Sequence, residues 1–117
     1  MNGGQGNQAL GTSSGVGGGL NNLSKGTYCF VGGGESNTAS GTSAVIGGLN
    51  NLALGQDGSL GGGEKNQLKG QLAALGGGKF NIVTKSSVGS CLCGGFKNIV
   101  KGPGNYVGGG KKNFSQT

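Results

Sequence analysis

The sequence contains no histidine, no arginine and no tryptophan, it has a single proline, and its only acids are Glu35, Asp57 and Glu64. Each absence removes a class of function. General acid–base catalysis draws on histidine or on paired carboxylates, and nucleophilic catalysis needs a base beside the nucleophile, so the chain is read as a non-enzyme. Ligation of a metal by histidine is impossible, which leaves the three acids with Cys29, Cys91 and Cys93, and no cofactor is expected. No apolar run approaches the ~20 residues that cross a bilayer, so no membrane insertion is expected. The N-terminal stretch MNGGQGNQALG lacks both the basic and the apolar region of a secretory signal. The chain is therefore expected either to leave its cell by another route, as part of a particle, or to be a segment of a longer chain. Nine lysines give a net charge of +6, and eight of them lie from Lys65 onward. Nucleic-acid binders interleave arginine and aromatics, and here six aromatics are scattered without any arginine. Nucleic acid is not an expected partner, and most of the lysines read as a solvated stripe.

What the chain has in excess is glycine, 32 residues of 117. Without periodicity that load would mean disorder, because little apolar surface would offset chain entropy. The glycines recur regularly. Aligning them brings an asparagine to the same place in every unit: Asn7, Asn22, Asn37, Asn51, Asn66, Asn81, Asn98 and Asn113, with spacings of 15, 15, 14, 15, 15, 17 and 15. Two glycines stand four and three residues before each asparagine. Small or apolar residues stand two after it (Ala9, Ser24, Ala39, Ala53, Leu68, Val83, Val100, Ser115), seven after it (Ser14, Cys29, Ala44, Gly58, Ala73) and nine after it (Val16, Val31, Ile46, Leu60, Leu75, Val107).

Alternation with period two marks short strands, not helix. Two strands and two turns use up a 15-residue unit, so residues 1–117 are expected to form one all-β domain, a flat parallel β-solenoid with about 15 residues per coil. The lumen is narrow, and the small residues just named are expected to fill it. Each asparagine is expected to stack on the next and to bond the backbone of its turn. At ~4.8 Å per coil the rod would be about 35 Å long.

The unit G-G-x-x-N-x-A-x-G-x-x-S-x-V resembles the head repeats of trimeric autotransporter adhesins of the YadA type, and related repeats of phage and tail-fibre proteins. The nearest copy runs Gly32-Gly33-Gly34-Glu35-Ser36-Asn37-Thr38-Ala39-Ser40-Gly41-Thr42-Ser43-Ala44-Val45-Ile46, and the likeness covers nearly the whole chain. The resemblance implies a left-handed β-roll, three chains packed or intertwined in one fibre, and a place outside the cell, on a cell surface or in a virion tail fibre. The chain shows no anchor, neck or stalk of that family, which favours a fibre segment.

The outward positions are unexpectedly apolar. Leu23, Leu52, Ile82, Ile99 and Phe114 follow the asparagines, and Phe30, Val45, Leu92 and Tyr106 precede the inward valine position. Two such stripes exceed what a lone soluble chain leaves in water, and a thin roll buries little, so these nine residues are the expected interface of a homo-oligomer, a trimer. A slip of one residue would exchange the inward and outward sets. Cys29 and Cys91 read as one repeat position, too far apart to bridge, and all three thiols read as small buried hydrophobes. Lys79, Lys97, Lys111 and Lys112 fall just before asparagines and are expected to form one file facing a glycan or a surface-protein receptor. The expected function is a structural and adhesive fibre segment. The alternatives are a monomeric flat-faced solenoid that binds ice or polysaccharide, suggested by the file Thr12, Thr27, Thr42, and a self-stacking filament subunit.

Overall fold

A unit that offers only two strand-forming positions between glycine turns can make only very short strands. The computed structural model, which describes residues 3–45 and 47–116, contains fifteen of them among those residues and no helix. In chain order they are β1 (Gln8–Ala9), β2 (Gly15–Val16), β3 (Leu23–Ser24), β4 (Phe30–Val31), β5 (Thr38–Ala39), β6 (Ala44–Val45), β7 (Leu52–Ala53), β8 (Ser59–Leu60), β9 (Gln67–Leu68), β10 (Ala74–Leu75), β11 (Ile82–Val83), β12 (Cys91–Leu92), β13 (Ile99–Lys101), β14 (Tyr106–Val107) and β15 (Phe114–Gln116). The odd-numbered strands pair in order into an eight-stranded parallel sheet and the even-numbered ones into a seven-stranded parallel sheet. The two sheets face each other as a β-solenoid of about seven turns, with extents of 40 × 24 × 13 Å.

Three apolar files fill the space between the sheets. The first sheet contributes Ser24, Ala39, Ala53, Leu68, Val83 and Val100, and the second contributes Val16, Val31, Val45, Leu60, Leu75, Leu92 and Val107, all buried. A third file beside the second sheet holds Cys29, Ser43, Gly58, Ala73 and Ser90. Bulk is exchanged between files: a Cβ added to Gly58 would meet Leu68 Cδ2 at 3.0 Å, so the missing side chain makes room for the inward leucine of the opposite sheet.

The facing is the one read from the sequence, with corrections where a unit is not 15 residues long. Val45 pairs in register with Val31 and Leu60 and is fully buried, so it belongs to the lumen and not to the outer stripe. The 14-residue unit shortens the turn after Asn37, so a count forward from the asparagine runs one residue too far. For the same reason Ser43, not Ala44, points inward, while Ile46 lies outside the described residues. Leu92 is likewise inside, in register with Leu75 and Val107. The two extra residues of the 17-residue unit are taken up in its turn, where Ser87 occupies the place that glycine holds in other units: a Cβ on Gly55 would meet the Gly70 carbonyl, and one on Gly70 the Ser87 carbonyl.

The asparagines form the ladder. From Asn7 to Asn98 each Nδ2 donates twice to backbone carbonyls, once within its own turn and once in the next rung: Asn22 to Gly18 at 2.9 Å and Gly34 at 2.8 Å, Asn66 to Gly62 at 2.7 Å and Gly78 at 2.9 Å. Each Oδ1 accepts the backbone N–H of the following asparagine, from Asn7 accepting Asn22 at 2.9 Å to Asn98 accepting Asn113 at 2.8 Å. Asn22, Asn37, Asn66, Asn81 and Asn98 are wholly buried, and this is why glutamine or aspartate would not serve. The site needs a short side chain with two donors and an acceptor.

One lumen hydroxyl is unmatched. Ser24 Oγ is buried without a hydrogen-bond partner among the described residues, where the neighbouring rung has Ala39. A buried hydroxyl left unpaired costs about 1 kcal/mol or more. Ser24→Ala is therefore expected to raise the stability by about 1 kcal/mol, read as a higher denaturant midpoint at an unchanged slope.

Candidate functional site

The glycine pair before each asparagine forces a turn, and the residue just before the asparagine takes up left-handed backbone geometry in every described unit. The φ values are 55° at Asn21, 58° at Ser36, 57° at Asn50, 55° at Lys65, 58° at Phe80, 57° at Lys97 and 58° at Lys112. Glycine, asparagine and aspartate tolerate that geometry best. The N-terminal half uses such tolerant types at three of its four positions, Gly6, Asn21 and Asn50, with Ser36 at the other. The C-terminal half puts Lys65, Phe80, Lys97 and Lys112 into the same strained position.

The position one residue earlier forms its own parallel file of single bridges, Gln5, Leu20, Glu35, Leu49, Glu64, Lys79, Phe96 and Lys111. The four lysines expected in one file are thus divided: Lys79 and Lys111 stand in this file, Lys97 and Lys112 in the neighbouring one. The correction has a simple origin. Two residues that both precede an asparagine differ by one step in the turn, and a turn residue with positive φ aims its side chain away from its neighbour's line.

The two files interlock at the edge of the solenoid. Lys65 Nζ and Lys79 Nζ each lie 5.3 Å from the centre of the Phe80 ring. Lys97 Nζ and Lys111 Nζ lie 5.2 and 5.9 Å from the centre of the Phe96 ring. The two rings meet edge to face, with centroids 6.1 Å apart and planes at 82°. Lysine and phenylalanine exchange places between consecutive rungs, so each ring is flanked by ammonium groups from neighbouring positions. Such contacts contribute about 0.5–1 kcal/mol each at an exposed site. The one acid in this region, Glu64, lies 3.6 Å from Lys79 Nζ. Beside the edge runs a groove of about 370 Å³ lined by Asn50, Leu52, Lys65, Gln67, Phe80, Ile82 and Lys97.

The outer faces differ from one another. On the first sheet Leu23, Leu52, Ile82 and Ile99 form a half-buried file interrupted by Thr38 and Gln67 and ending in Phe114, which is 57% exposed. On the second sheet only the two ends are bulky, Phe30 at 51% and Tyr106 at 66% exposure, with Ala44, Ser59 and Ala74 between them. The apolar stripe is therefore real on the first sheet and thin on the second.

The thiols are not equivalent. Cys29 is buried in the lumen, its Sγ donating to the Gly41 carbonyl at 3.2 Å. Cys91 is half-buried and stands in the outward file between Ala74 and Tyr106, while Ser90 takes the inward place corresponding to Cys29. Cys93 is exposed, 3.1 Å from the Tyr106 hydroxyl. Burial, reinforced by the charge and hydrogen bonding of Cys93, pushes the Cys91 thiol above its ordinary value, and the hydrogen bond to Cys93 does the same to Tyr106. Both groups favour the neutral form more strongly when folded. Their contribution is complete below the ordinary thiol pKa of about 8.5 and is lost as the pH rises through the raised folded values. Stability is thus expected to decline in that alkaline range, and less steeply in Cys93→Ser. In native protein a charged thiol reagent is expected to label Cys93 first and Cys29 only on unfolding; equal rates for the two would contradict this placement.

Among the described residues no three histidine, cysteine, aspartate or glutamate side chains come close enough to hold a metal ion. The threonine file is short: Thr42 bonds Asp57, at 3.0 Å between side chains, and glutamines follow at Gln56 and Gln71. In comparisons with known proteins, the sequence matches no family model and no curated protein.

Proposed function

We propose that the chain is a structural and adhesive segment of a fibre in which three copies pack side by side, displayed on the outside of a cell or particle, with its polar edges open to glycans or proteins. The observation that carries this reading is the outer file Leu23, Leu52, Ile82 and Ile99 on the first sheet. It presents an apolar strip, broken only by Thr38 and Gln67, on a body only 13 Å thick, whose lumen is one layer of side chains. A thin roll buries little of its own apolar surface, and a strip of this kind is covered in a stable protein by a neighbour. Threefold packing lets the same strip meet itself around one axis without leaving an open face. The mechanical side follows from the ladder: side-chain and backbone hydrogen bonds run in parallel along the rod, so extension along the axis must break several at once.

Sedimentation equilibrium tests the reading. The expected mass is three times that of the 11.2 kDa chain. Placing charge in the strip with Leu52→Lys and Ile82→Lys together is expected to give single chains that keep their β signal in circular dichroism. A native protein that sediments as one chain at micromolar concentration would overturn the assembly.

A further inference from the structure

The lysine–phenylalanine edge is more than a solvated stripe. A stripe that served solubility alone would leave its ammonium groups free in water, on backbone that suits them. Here Lys65, Lys79, Lys97 and Lys111 are laid against two rings, and Lys65, Phe80 and Lys97 occupy a left-handed position for which the N-terminal half uses glycine, asparagine and serine. Four ammonium groups laid against two rings, at the one edge where lysine and phenylalanine replace the glycine, asparagine and serine of the N-terminal half, point to a site.

The arrangement also defines what fits. Lys65 and Lys97 stand two rungs apart in one file, and Lys79 and Lys111 two rungs apart in the other. Two rungs are about 9.6 Å, the scale on which charges recur along an extended polysaccharide with one acidic sugar in two. The ring faces are taken by ammonium groups and the rings engage each other edge to face, so they offer no platform on which a nucleotide base could stack. The array is straight and cationic apart from Glu64, which is paired with Lys79. Beside it the groove supplies Asn50 for hydroxyl groups, while its far wall, Leu52, Gln67 and Ile82, belongs to the face that the neighbouring copy covers.

We infer that the edge from Lys65 to Lys112 binds a linear acidic polysaccharide lying along the solenoid axis, its sulfate or carboxylate groups on the alternating lysines. This deepens the adhesive reading above, on which it rests for the exposure of the edge.

The test uses the whole chain, heparin as the sulfated probe, hyaluronan as the carboxylate-only probe, and duplex DNA of matched charge, with affinity measured at several salt concentrations. Binding of heparin or hyaluronan in preference to DNA is expected. Lys79→Gln with Lys97→Gln is expected to weaken it roughly tenfold, because a polyanion contact depends on local charge density. Lys85→Gln with Lys101→Gln removes the same charge elsewhere and is expected to change it less than about threefold. Lys65→Asn with Lys97→Asn puts tolerant residues at the strained positions. It is expected to raise the melting temperature while lowering affinity, a split that a purely structural role would not produce. Equal weakening by the two glutamine pairs, equal binding of DNA, or no binding of either polysaccharide overturns the inference. Sedimentation of the native protein separates the two readings: no polysaccharide binding by an intact trimer overturns the site alone, and binding by single chains overturns the assembly alone.

Discussion

Asn66→Ala is expected to lower stability by roughly 4 kcal/mol, at the upper end for a single substitution. The side chain donates to Gly62 and Gly78 and accepts from both the backbone N–H of Asn81, at 2.9 Å, and its Nδ2, at 3.2 Å. Truncation removes those bonds and leaves the Asn81 amide, which is wholly buried, without its acceptor. Each buried group so orphaned costs about 1–3 kcal/mol, and Asn66 and Asn81 themselves expose no surface to water. Asn113→Ala removes a chemically identical side chain from an exposed rung, where Nδ2 donates only to Gly109, and is expected to cost about 1 kcal/mol. Denaturant unfolding of the two variants measures the difference. Equal costs would mean that the ladder is incidental to stability.

The second large effect is expected at Gly63. A Cβ there would fall inside van der Waals contact with the Gly78 carbonyl oxygen and within 2.7 Å of Asn66 Nδ2, on a residue whose φ is 93°. That carbonyl cannot move aside, because it accepts both the Glu64 N–H at 2.9 Å and Asn66 Nδ2 at 2.9 Å. Gly63→Ala is therefore expected to cost more than about 4 kcal/mol and to give a chain that fails to fold at 37 °C. Gly104 separates crowding from backbone strain: its φ is also positive, 66°, but a Cβ there meets nothing within 4 Å. Gly104→Ala is expected to cost only about 1 kcal/mol, and thermal melts of the pair distinguish the two causes.

The contrast explains why the repeat was so legible. The glycine next to each turn and the asparagine after it are set by backbone geometry and by buried hydrogen bonds, which admit one residue type, so both survive in every unit. The lumen could be read from the same frame, because inward residues such as Ala39, Leu68 and Val83 lie a fixed two steps from the asparagine along an unbroken strand. The frame failed where a turn intervened. Val45 lies beyond a turn that had lost one residue, and a count from the asparagine carries that change into the strand; Leu92 lies beyond a turn that had gained two, where matching Cys91 to Cys29 allows for three. Register is transmitted by strand pairing and not by residue number.

The lysine–phenylalanine edge was only half visible. The lysines were evident as charge before the asparagines, but their division into two files depends on the left-handed turn residue. The phenylalanines looked like scattered aromatics because Phe80 and Phe96 stand at different steps of successive turns. One signal was available: the position before each asparagine reads Gly6, Asn21, Ser36, Asn50 and then Lys65, Phe80, Lys97, Lys112. A change from glycine, asparagine and serine to lysine and phenylalanine at one register position is the sequence-level mark of this edge.

Hydrogen exchange at the asparagine amides tests most directly whether stacked side chains hold this thin rod together. The backbone N–H groups of Asn37, Asn51, Asn66 and Asn81, each donating to the Oδ1 of the rung before, are expected to exchange among the slowest in the protein and at similar rates. If they exchanged as fast as the amides of the exposed turn at Lys85 and Ser86, the ladder would not be what secures the fold.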